Sequence, residues 1–438
     1  LNKQLHMRTT LLVLILFFTS SIYSQISSEK ADEITAFIKS KKEYYNSPSI
    51  TVAVTDQNNT VYLKHFGDAK KGDKYLIGSN SKSFTALLTL LLQEKGKLNI
   101  TDPVKKYLDW FQYKSKNISE KVTIQDLLQH TSGISHGIGQ TFLESDTELD
   151  YTKYYSETLK NLELNDFPEQ PYQYSNANYR ILGLLIEKVT GKKFEECMDT
   201  YIINPMKLKN TSASTEVDLI DSYQYFLYYP ILKFNKSFHR QEVASGLISS
   251  TGNDMSIYLR NLMNSYNNKP NTIIDSNITK QLFTPNKNNK SSYGLGWRII
   301  NGIFYHSGTN KSFESSMYII PSINKAIVVL INSNQAPDSE IVDGIANILM
   351  DNKPFGNSSF PYYRSLPIVV FILLIIFILQ YRKWRKLSSS FKFSKKLLPN
   401  ILLILGIAFA IAFSILLPTL NGVNLKTALQ FDPVSGYS

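Results

Sequence analysis

The chain of 438 residues holds a single cysteine, Cys197, so it cannot form an internal disulfide or a thiolate metal cluster. Cys197 lies in the helical stretch Phe194-Glu195-Glu196-Cys197-Met198, with no basic partner nearby to activate a thiol, and is expected to be a packed side chain. The histidines number six and show no pair at zinc-ligand spacing. No glycine-rich phosphate loop is present, so neither a metal nor an organic cofactor is expected. Acidic residues are fewer than basic ones, 36 against 47, for a net charge of +11. That excess is local. From Pro361 onward nine Lys and Arg face Asp432 alone, and the first 25 residues add Lys3 and Arg8, which leaves the stretch between at +1. A central region this close to neutral has no electrostatic footprint for nucleic acid. No internal repeat is visible.

Long apolar runs are missing from the middle of the chain and confined to its ends. Met7-Arg8, the apolar run Leu11 to Phe18 and the small polar residues after it have the layout of a secretory signal peptide over residues 1–24. Residues 366–381 and 397–418 are nearly uncharged and approach the length of about 20 residues that a spanning helix needs. The connector 382–396 carries Arg382, Lys383, Arg385, Lys386, Lys392, Lys395 and Lys396, which the positive-inside rule places in the cytoplasm. A multi-pass protein of the cell membrane is therefore expected. Residues 25–355 would form a domain on its periplasmic or extracellular side, followed by a linker at 356–365. The tail, 419–438, shows no organisation beyond weak amphipathicity.

Within 25–355, strands come first and last. Glu29 to Tyr45 has helical spacing (Ile34, Phe37, Ile38). Ser49–Thr55 and Thr60–Phe66 alternate around Gln57-Asn58-Asn59 and read as a hairpin. Ser79 to Phe283 is mostly helical, including Phe84–Gln93 and Tyr179–Thr190 with Gly191 as its stop. Asn264 to Lys290 is Asn-rich and reads as surface loops. Strands return at Ile303–His306, Phe313–Ile320 and Ala326–Asn332, before a closing helix from Asp338 to Met350. The predicted class is α/β: an antiparallel sheet built from both chain ends, flanked by helices, with an inserted mainly helical subdomain, followed by two C-terminal transmembrane helices.

Three short patterns carry chemistry. Ser79-Asn80-Ser81-Lys82 opens an apolar helix, so one turn brings the Lys82 amine beside the Ser79 hydroxyl at the positive helix end. The same S-x-x-K spacing recurs at Ser27, Ser322 and Ser389, where a serine helix cap explains it. Tyr174-Ser175-Asn176 offers a phenol whose pKa a nearby lysine would lower, and an amide that donates and accepts. Y-x-N also occurs at Tyr44 and Tyr266. His306-Ser307-Gly308 occurs once, at a strand end where backbone N–H groups can face an oxyanion. The remaining candidates, His130 and His136, flank a Ser-Gly turn and are expected to be structural.

The order Ser-Lys, Tyr-Asn, His-Ser-Gly resembles the serine β-lactamase and penicillin-binding superfamily. The likeness is to the class C β-lactamase, D-alanyl-D-alanine carboxypeptidase and esterase branch, and it extends over about Ser28 to Asn352. Leu127 to Gly133, Ala244 to Ser250 and Tyr293 to Trp297 share it. The resemblance implies a β-lactamase/transpeptidase-like fold and a serine hydrolase working through an acyl-enzyme. Ser79 would be the nucleophile, with Lys82 and Tyr174 sharing the base and proton-relay work. Asn176 would orient Lys82 and substrate, His306, Ser307 and Gly308 would line the substrate site, and the N–H groups of Ser79 and Thr309 would form the oxyanion hole. Many members carry lysine where His306 stands, so esters, amides or D-amino-acid peptides are expected over penicillins. The expected partners are a small-molecule or peptide substrate of cell-wall origin and the membrane, not nucleic acid. A catalytically weak wall-binding module of the same fold is the competing reading.

Overall fold

The computed structural model describes residues 26–140, 150–164, 171–226, 229–233, 238–270, 272–286, 291–334 and 338–354, with isolated positions at 375, 378, 379 and 382. The expected signal peptide, linker, tail and second C-terminal span lie outside these residues, as do the first span apart from 375, 378 and 379 and the basic loop apart from 382. Among the described residues no helix is long and apolar enough to cross a membrane.

A six-stranded antiparallel sheet joins the two ends of the domain. Its strands are β1 (Ser49–Thr55), β2 (Thr60–Gly67), β7 (Arg298–Ile300), β8 (Ile303–Thr309), β9 (Glu314–Ile320) and β10 (Lys325–Ile331), ordered β2-β1-β10-β9-β8-β7. β1 and β10 are central and pair from Ile50↔Ile331 to Thr55↔Ala326. Both are nearly continuous β-branched or aliphatic runs, because each has both faces covered and neither needs a polar side. The β1–β2 turn is held by Asp56, whose Oδ1 accepts the N–H groups of Asn58 (2.7 Å) and Asn59 (2.8 Å). The β7–β8 turn runs through Asn301 (φ 51°) and Gly302 (φ 76°), the left-handed pair that a two-residue hairpin requires.

Among the described residues seven helices have seven residues or more: α1 (Ser28–Tyr45), α2 (Ser81–Glu94), α3 (Tyr151–Lys160), α4 (Asn176–Thr190), α5 (Gly252–Tyr266), α6 (Ser276–Leu282) and α7 (Asp338–Leu349). α1 and α7 cover one face of the sheet. There Ile34 and Ile38 meet Ile341, Val342, Ile345 and Ile348, all buried with Val52, Val54 and Val329. Each such side chain contributes about 1.5–3 kcal/mol on burial. Glu340 at the start of α7 receives both the Lys41 ammonium and the Tyr45 hydroxyl of α1. The opposite face packs on α5, and its apolar side chains join those of α2 and α4 in one large core. α4 ends at Gly191 in the left-handed conformation (φ 66°), as its position after a periodic run predicts.

Two short ladders tie the helical part to the sheet: β3 (Tyr75–Leu76) with β6 (Ser249–Ser250), and the hairpin of β4 (Tyr223–Phe226) with β5 (Tyr229–Lys233). Two local expectations change. Asn264 to Lys290 is not simply loop, because α5 runs to Tyr266 and α6 spans Ser276–Leu282. In α6 the Asp275 side chain caps Asn277 N–H, and Ile278 and Leu282 are buried one turn apart. Composition hid this, since polar residues surround only two apolar anchors. The strand expected to stop at His306 continues to Thr309, because Ser307, Gly308 and Thr309 stay paired with Ser316, Ser315 and Glu314.

Candidate active site

β3 leads into a tight turn that exposes one hydroxyl. Ile77 N–H donates to Ile248 O (2.9 Å), Gly78 adopts φ +52°, and Gly78–Asn80 forms a 3-10 turn that runs into α2. Ser79 is part-exposed, whereas Asn80, Ser81, Lys82 and Ser83 are buried. The turn is fastened at several points. Asn80 Nδ2 donates to Ser315 Oγ (2.7 Å), Ser315 Oγ to Ile77 O (2.7 Å), and Ile248 N–H to Ser81 Oγ (3.1 Å). Ser79 N–H finds no backbone acceptor among the described residues, which is the usual condition of an amide at a helix start.

That amide faces β8. β7 pairs with β8 only through Ile303–Tyr305, so the edge of β8 from His306 to Thr309 is not covered by β7. The turn bearing Ser79 packs on this segment. The contact is backbone to backbone. A Cβ on Gly308 would lie 2.1 Å from Ile77 O and 2.8 Å from Ser79 N, and one on Gly78 would lie 2.7 Å from Thr309 N. Two glycines therefore let the amides of Ser79 and Thr309 approach each other. Ser307 and Thr309 alternate outward as exposed residues.

Lys82 is fully buried one turn beyond Ser79. Its Nζ lies 3.0 Å from Ser79 Oγ, 2.7 Å from Asn176 Oδ1 and 2.6 Å from Ser245 O, and 5.0 Å from the centre of the Tyr174 ring. Burial drives its pKa well below that of a free lysine, and the positive charge of Arg180 pushes the same way. Asn176 is the first residue of α4, delivered by Tyr174-Ser175. The other Y-x-N patterns end helices instead, with Asn46 (φ 50°) and Asn268 (φ 52°) in the left-handed region. The spare S-x-x-K motifs also separate by structure. Ser27 caps α1, its Oγ accepting Lys30 N–H (3.2 Å), and Ser322 sits in an unburied turn after β9.

Tyr174 departs from expectation. Burial raises the pKa of its phenol above the ordinary value, although its hydrogen bond with Ser79 and the charge of Arg298 oppose the rise. The phenol is thus a proton donor at neutral pH, while Lys82 is the group moved toward its neutral form. His306 is buried as well. Its Nδ1 lies 2.6 Å from Ser307 O and its Nε2 3.0 Å from Tyr293 Oη. A carbonyl only accepts, so the proton is on Nδ1, and Nε2 accepts from the Tyr293 hydroxyl. Burial, then the charge of Lys82, pushes the imidazole down to about 3. His306 therefore presents no positive charge to the cleft.

Three contributors lie outside the three motifs, and the first, His130, is structural as expected. His130 adopts φ +60° and is fully buried, with its ring centre 4.4 Å from that of Tyr174. Its Nδ1 accepts from Ser175 N–H (3.1 Å) and Asn178 Nδ2 (3.1 Å), so it holds the turn that delivers Asn176. Arg180, one turn after Asn176, is buried over the Tyr151 ring at 4.8 Å and donates to Gly139 O (3.2 Å). Arg298 stands 6.0 Å from the Tyr174 ring centre and 5.7 Å from that of Tyr293. The only sequence signal for His130 was its place in Leu127 to Gly133; Arg180 and Arg298 had none, because their roles depend on strand and helix packing. Cys197 is buried, as expected, and among the described residues no group of acidic, histidine or cysteine side chains could hold a metal.

Comparison with known proteins agrees with this architecture. The Beta-lactamase family model matches residues 34–349. Protein flp of Staphylococcus aureus (strain MRSA252) is 25% identical over 428 residues, covering 90% of this chain and 83% of the relative. A teichoic acid D-alanine hydrolase of Staphylococcus aureus is 33% identical over 177 residues, 38% of this chain and 41% of that protein. Among solved structures, FmtA from Staphylococcus aureus superposes with a TM-score of 0.61 at 23% identity, over 77% of this chain and 92% of that one.

Proposed function

The chain belongs to the Beta-lactamase family, and on that premise we propose that it is a serine hydrolase acting through an acyl-enzyme on an ester or amide bond. The observation that carries the reading is the fully buried Lys82 amine, within hydrogen-bond reach of both Ser79 Oγ and Asn176 Oδ1. A neutral Lys82 donates its two N–H bonds to Asn176 and the Ser245 carbonyl and keeps its lone pair for the Ser79 proton. Ser79 Oγ attacks the substrate carbonyl as that proton moves to Lys82. The amides of Ser79 and Thr309 stabilise the oxyanion. Collapse breaks the bond to the leaving group, which takes a proton through the Tyr174 hydroxyl. Water then attacks the ester on Ser79 by the same relay, releasing the acid and restoring the serine. No step calls for a metal or an organic cofactor.

The substrate class follows from what the cleft lacks. With His306 neutral and turned to Tyr293, there is no lysine in the third motif to meet the carboxylate of a penicillin. Esters or amides of D-amino acids, including cell-wall peptides, are favoured over β-lactams. The likeness to a teichoic acid D-alanine hydrolase supports that class. Hydropathy and the basic connector 382–396 support an outward-facing domain held to the cell membrane by residues 366–381 and 397–418. Intact-mass spectrometry after exposure to p-nitrophenyl acetate or penicillin tests the chemistry. An acyl adduct is expected on the wild type and not on Ser79→Ala; equal labelling of both refutes the reading. Membrane fractionation of the full chain against one ending near Pro361 tests the anchor, and release of the full chain by a salt wash contradicts it.

A further inference from the structure

Resting on the acyl-enzyme reading above, we propose that Arg180, joined to Glu242 through Tyr151, is a positioning residue for Lys82: it steadies both oxygens that receive the amine's N–H bonds and holds a permanent positive charge behind it. Those oxygens, Asn176 Oδ1 and Ser245 O, belong to different parts of the fold, the start of α4 and the turn Val243–Gly246. Arg180, Tyr151 and Glu242 lie outside the three patterns that carry the chemistry.

The first link runs to Asn176. Arg180 follows it by one turn of α4 and is buried, and its Nη1 donates to Gly139 O (3.2 Å). Gly139 is pressed against the head of the helix, where a Cβ would lie 2.5 Å from Asn176 N and 2.5 Å from Ser175 Oγ. Arg180 thus clamps the segment that packs on the Asn176 backbone. The second link runs to Ser245. The guanidinium lies over the Tyr151 ring at 4.8 Å, and its Nη1 also reaches Tyr155 Oη (3.4 Å). Tyr151 Oη donates to Glu242 Oε1 (2.5 Å), and Tyr151 N–H to Gln241 Oε1 (2.7 Å). Ser245 Oγ donates to Glu242 O (3.0 Å), closing the turn whose Ser245 carbonyl takes Lys82 Nζ at 2.6 Å. α4 touches this turn directly, since a Cβ on Gly183 would lie 2.8 Å from Ala244 Cβ.

The same geometry places the charge. Burial disfavours the Arg180 cation, but Tyr155, Tyr151 and Glu242 around it favour it, and a guanidinium stays protonated at any working pH. Its field opposes a second positive charge on Lys82. Among the described residues the titratable groups facing Arg180 are Tyr151 and Tyr155 of α3 and His239 and Glu242 before the turn. Those facing Lys82 are Tyr174, Tyr179, His130 and His306. Burial holds both of these histidines below the ordinary imidazole range, so they are neutral near pH 7 and the charge that varies beside Ser79 is that of Lys82. Glu242, whose carboxylate meets Tyr151 and favours the Arg180 cation, is the countercharge within the cluster.

The test is the pH profile of kcat/KM on p-nitrophenyl acetate with the full-length protein, whose acid limb reports protonation of the base in the free enzyme. Arg180→Met removes the positive charge and is expected to move that limb to higher pH by about half a unit or more. Glu242→Gln keeps an acceptor for Tyr151 but removes the countercharge, and is expected to move the limb the other way, to lower pH. Arg180→Lys keeps the charge and is expected to bring the limb back toward the wild-type position. A purely structural Arg180 would lower kcat at every pH and leave the limb in place. An unmoved limb in Arg180→Met or in Glu242→Gln, or movement in the same direction in both, overturns the proposal. If Arg180→Met does not fold, Glu242→Gln decides alone: a limb at lower pH supports the proposal, and one unmoved or raised overturns it. Ester turnover that survives Ser79→Ala would instead refute the acyl-enzyme reading beneath it.

Discussion

Lys82 Nζ lies 2.7 Å from Asn176 Oδ1, joining the first turn of α2 to the first residue of α4 across 94 positions of sequence. Both helix starts are thereby locked around Ser79. The amine sits where burial and Arg180 both disfavour its charge.

Lys82→Met keeps most of the buried volume and removes the base. We expect kcat/KM on p-nitrophenyl acetate to fall by about a thousandfold or more, as loss of a nucleophile's activating partner commonly does. Stability should change by no more than about 2 kcal/mol, because the loss of hydrogen bonds is offset by removal of a group that is costly to bury. Paired kinetics and urea denaturation check this, and retention of a tenth of the activity would remove Lys82 from the mechanism.

Gly308→Ala places a methyl group 2.1 Å from Ile77 O and 2.8 Å from Ser79 N. The turn bearing Ser79 must then retreat from β8. Displacing an oxyanion donor is expected to cost about 100-fold or more in kcat, and overpacking about 1–3 kcal/mol of stability. A folded variant with kcat within twofold of wild type would show that the close approach of β8 does not matter to the chemistry.

His306 ties stability to pH. Its folded pKa, about 3, lies below the 6.5 of an unperturbed imidazole. Between these values the unfolded chain binds the extra proton, so this contribution is fully present above pH 6.5 and fades as pH falls toward 3. Asp338, pushed up to about 7 by burial, has the opposite slope over much of the same window. The wild-type profile alone therefore mixes the two. The stability advantage of wild type over His306→Asn isolates the histidine, and it should shrink steadily from pH 6.5 to pH 4 in urea titrations. A constant difference would contradict a buried neutral imidazole.

His130→Ala frees Ser175 N–H and Asn178 Nδ2 and opens space behind Tyr174. We expect stability to drop by about 2–4 kcal/mol, from a lost buried side chain and its hydrogen bonds. kcat should fall about tenfold or more as the Tyr174-Ser175-Asn176 turn loses its register. Steady-state kinetics below the melting transition check it; a destabilised protein with unchanged kcat would make His130 a packing residue only.

The sheet was legible because β-branched alternation and the runs at β1 and β10 are local signals that burial on the strand faces reinforces. The turn at Asn301-Gly302 and the stop at Gly191 are equally local, since only a few residue types tolerate left-handed backbone. The spacing of three, one helical turn, set Lys82 beside Ser79 but recurs at Ser27, Ser322 and Ser389, and only the ordered partners Tyr174, Asn176 and His306 set Ser79 apart. By itself the sequence ordered those partners after Ser79 and Lys82 without showing that they meet. The tertiary structure decided the rest. Long-range packing, not spacing, buried Lys82, raised the Tyr174 phenol and turned His306 toward Tyr293. His130 and Arg298 reached the site for the same reason: their distances to Tyr174 are set by a loop and an edge strand far from it in sequence. Desolvation and neighbouring charge are properties of the assembled cleft, and no pattern along the chain encodes them.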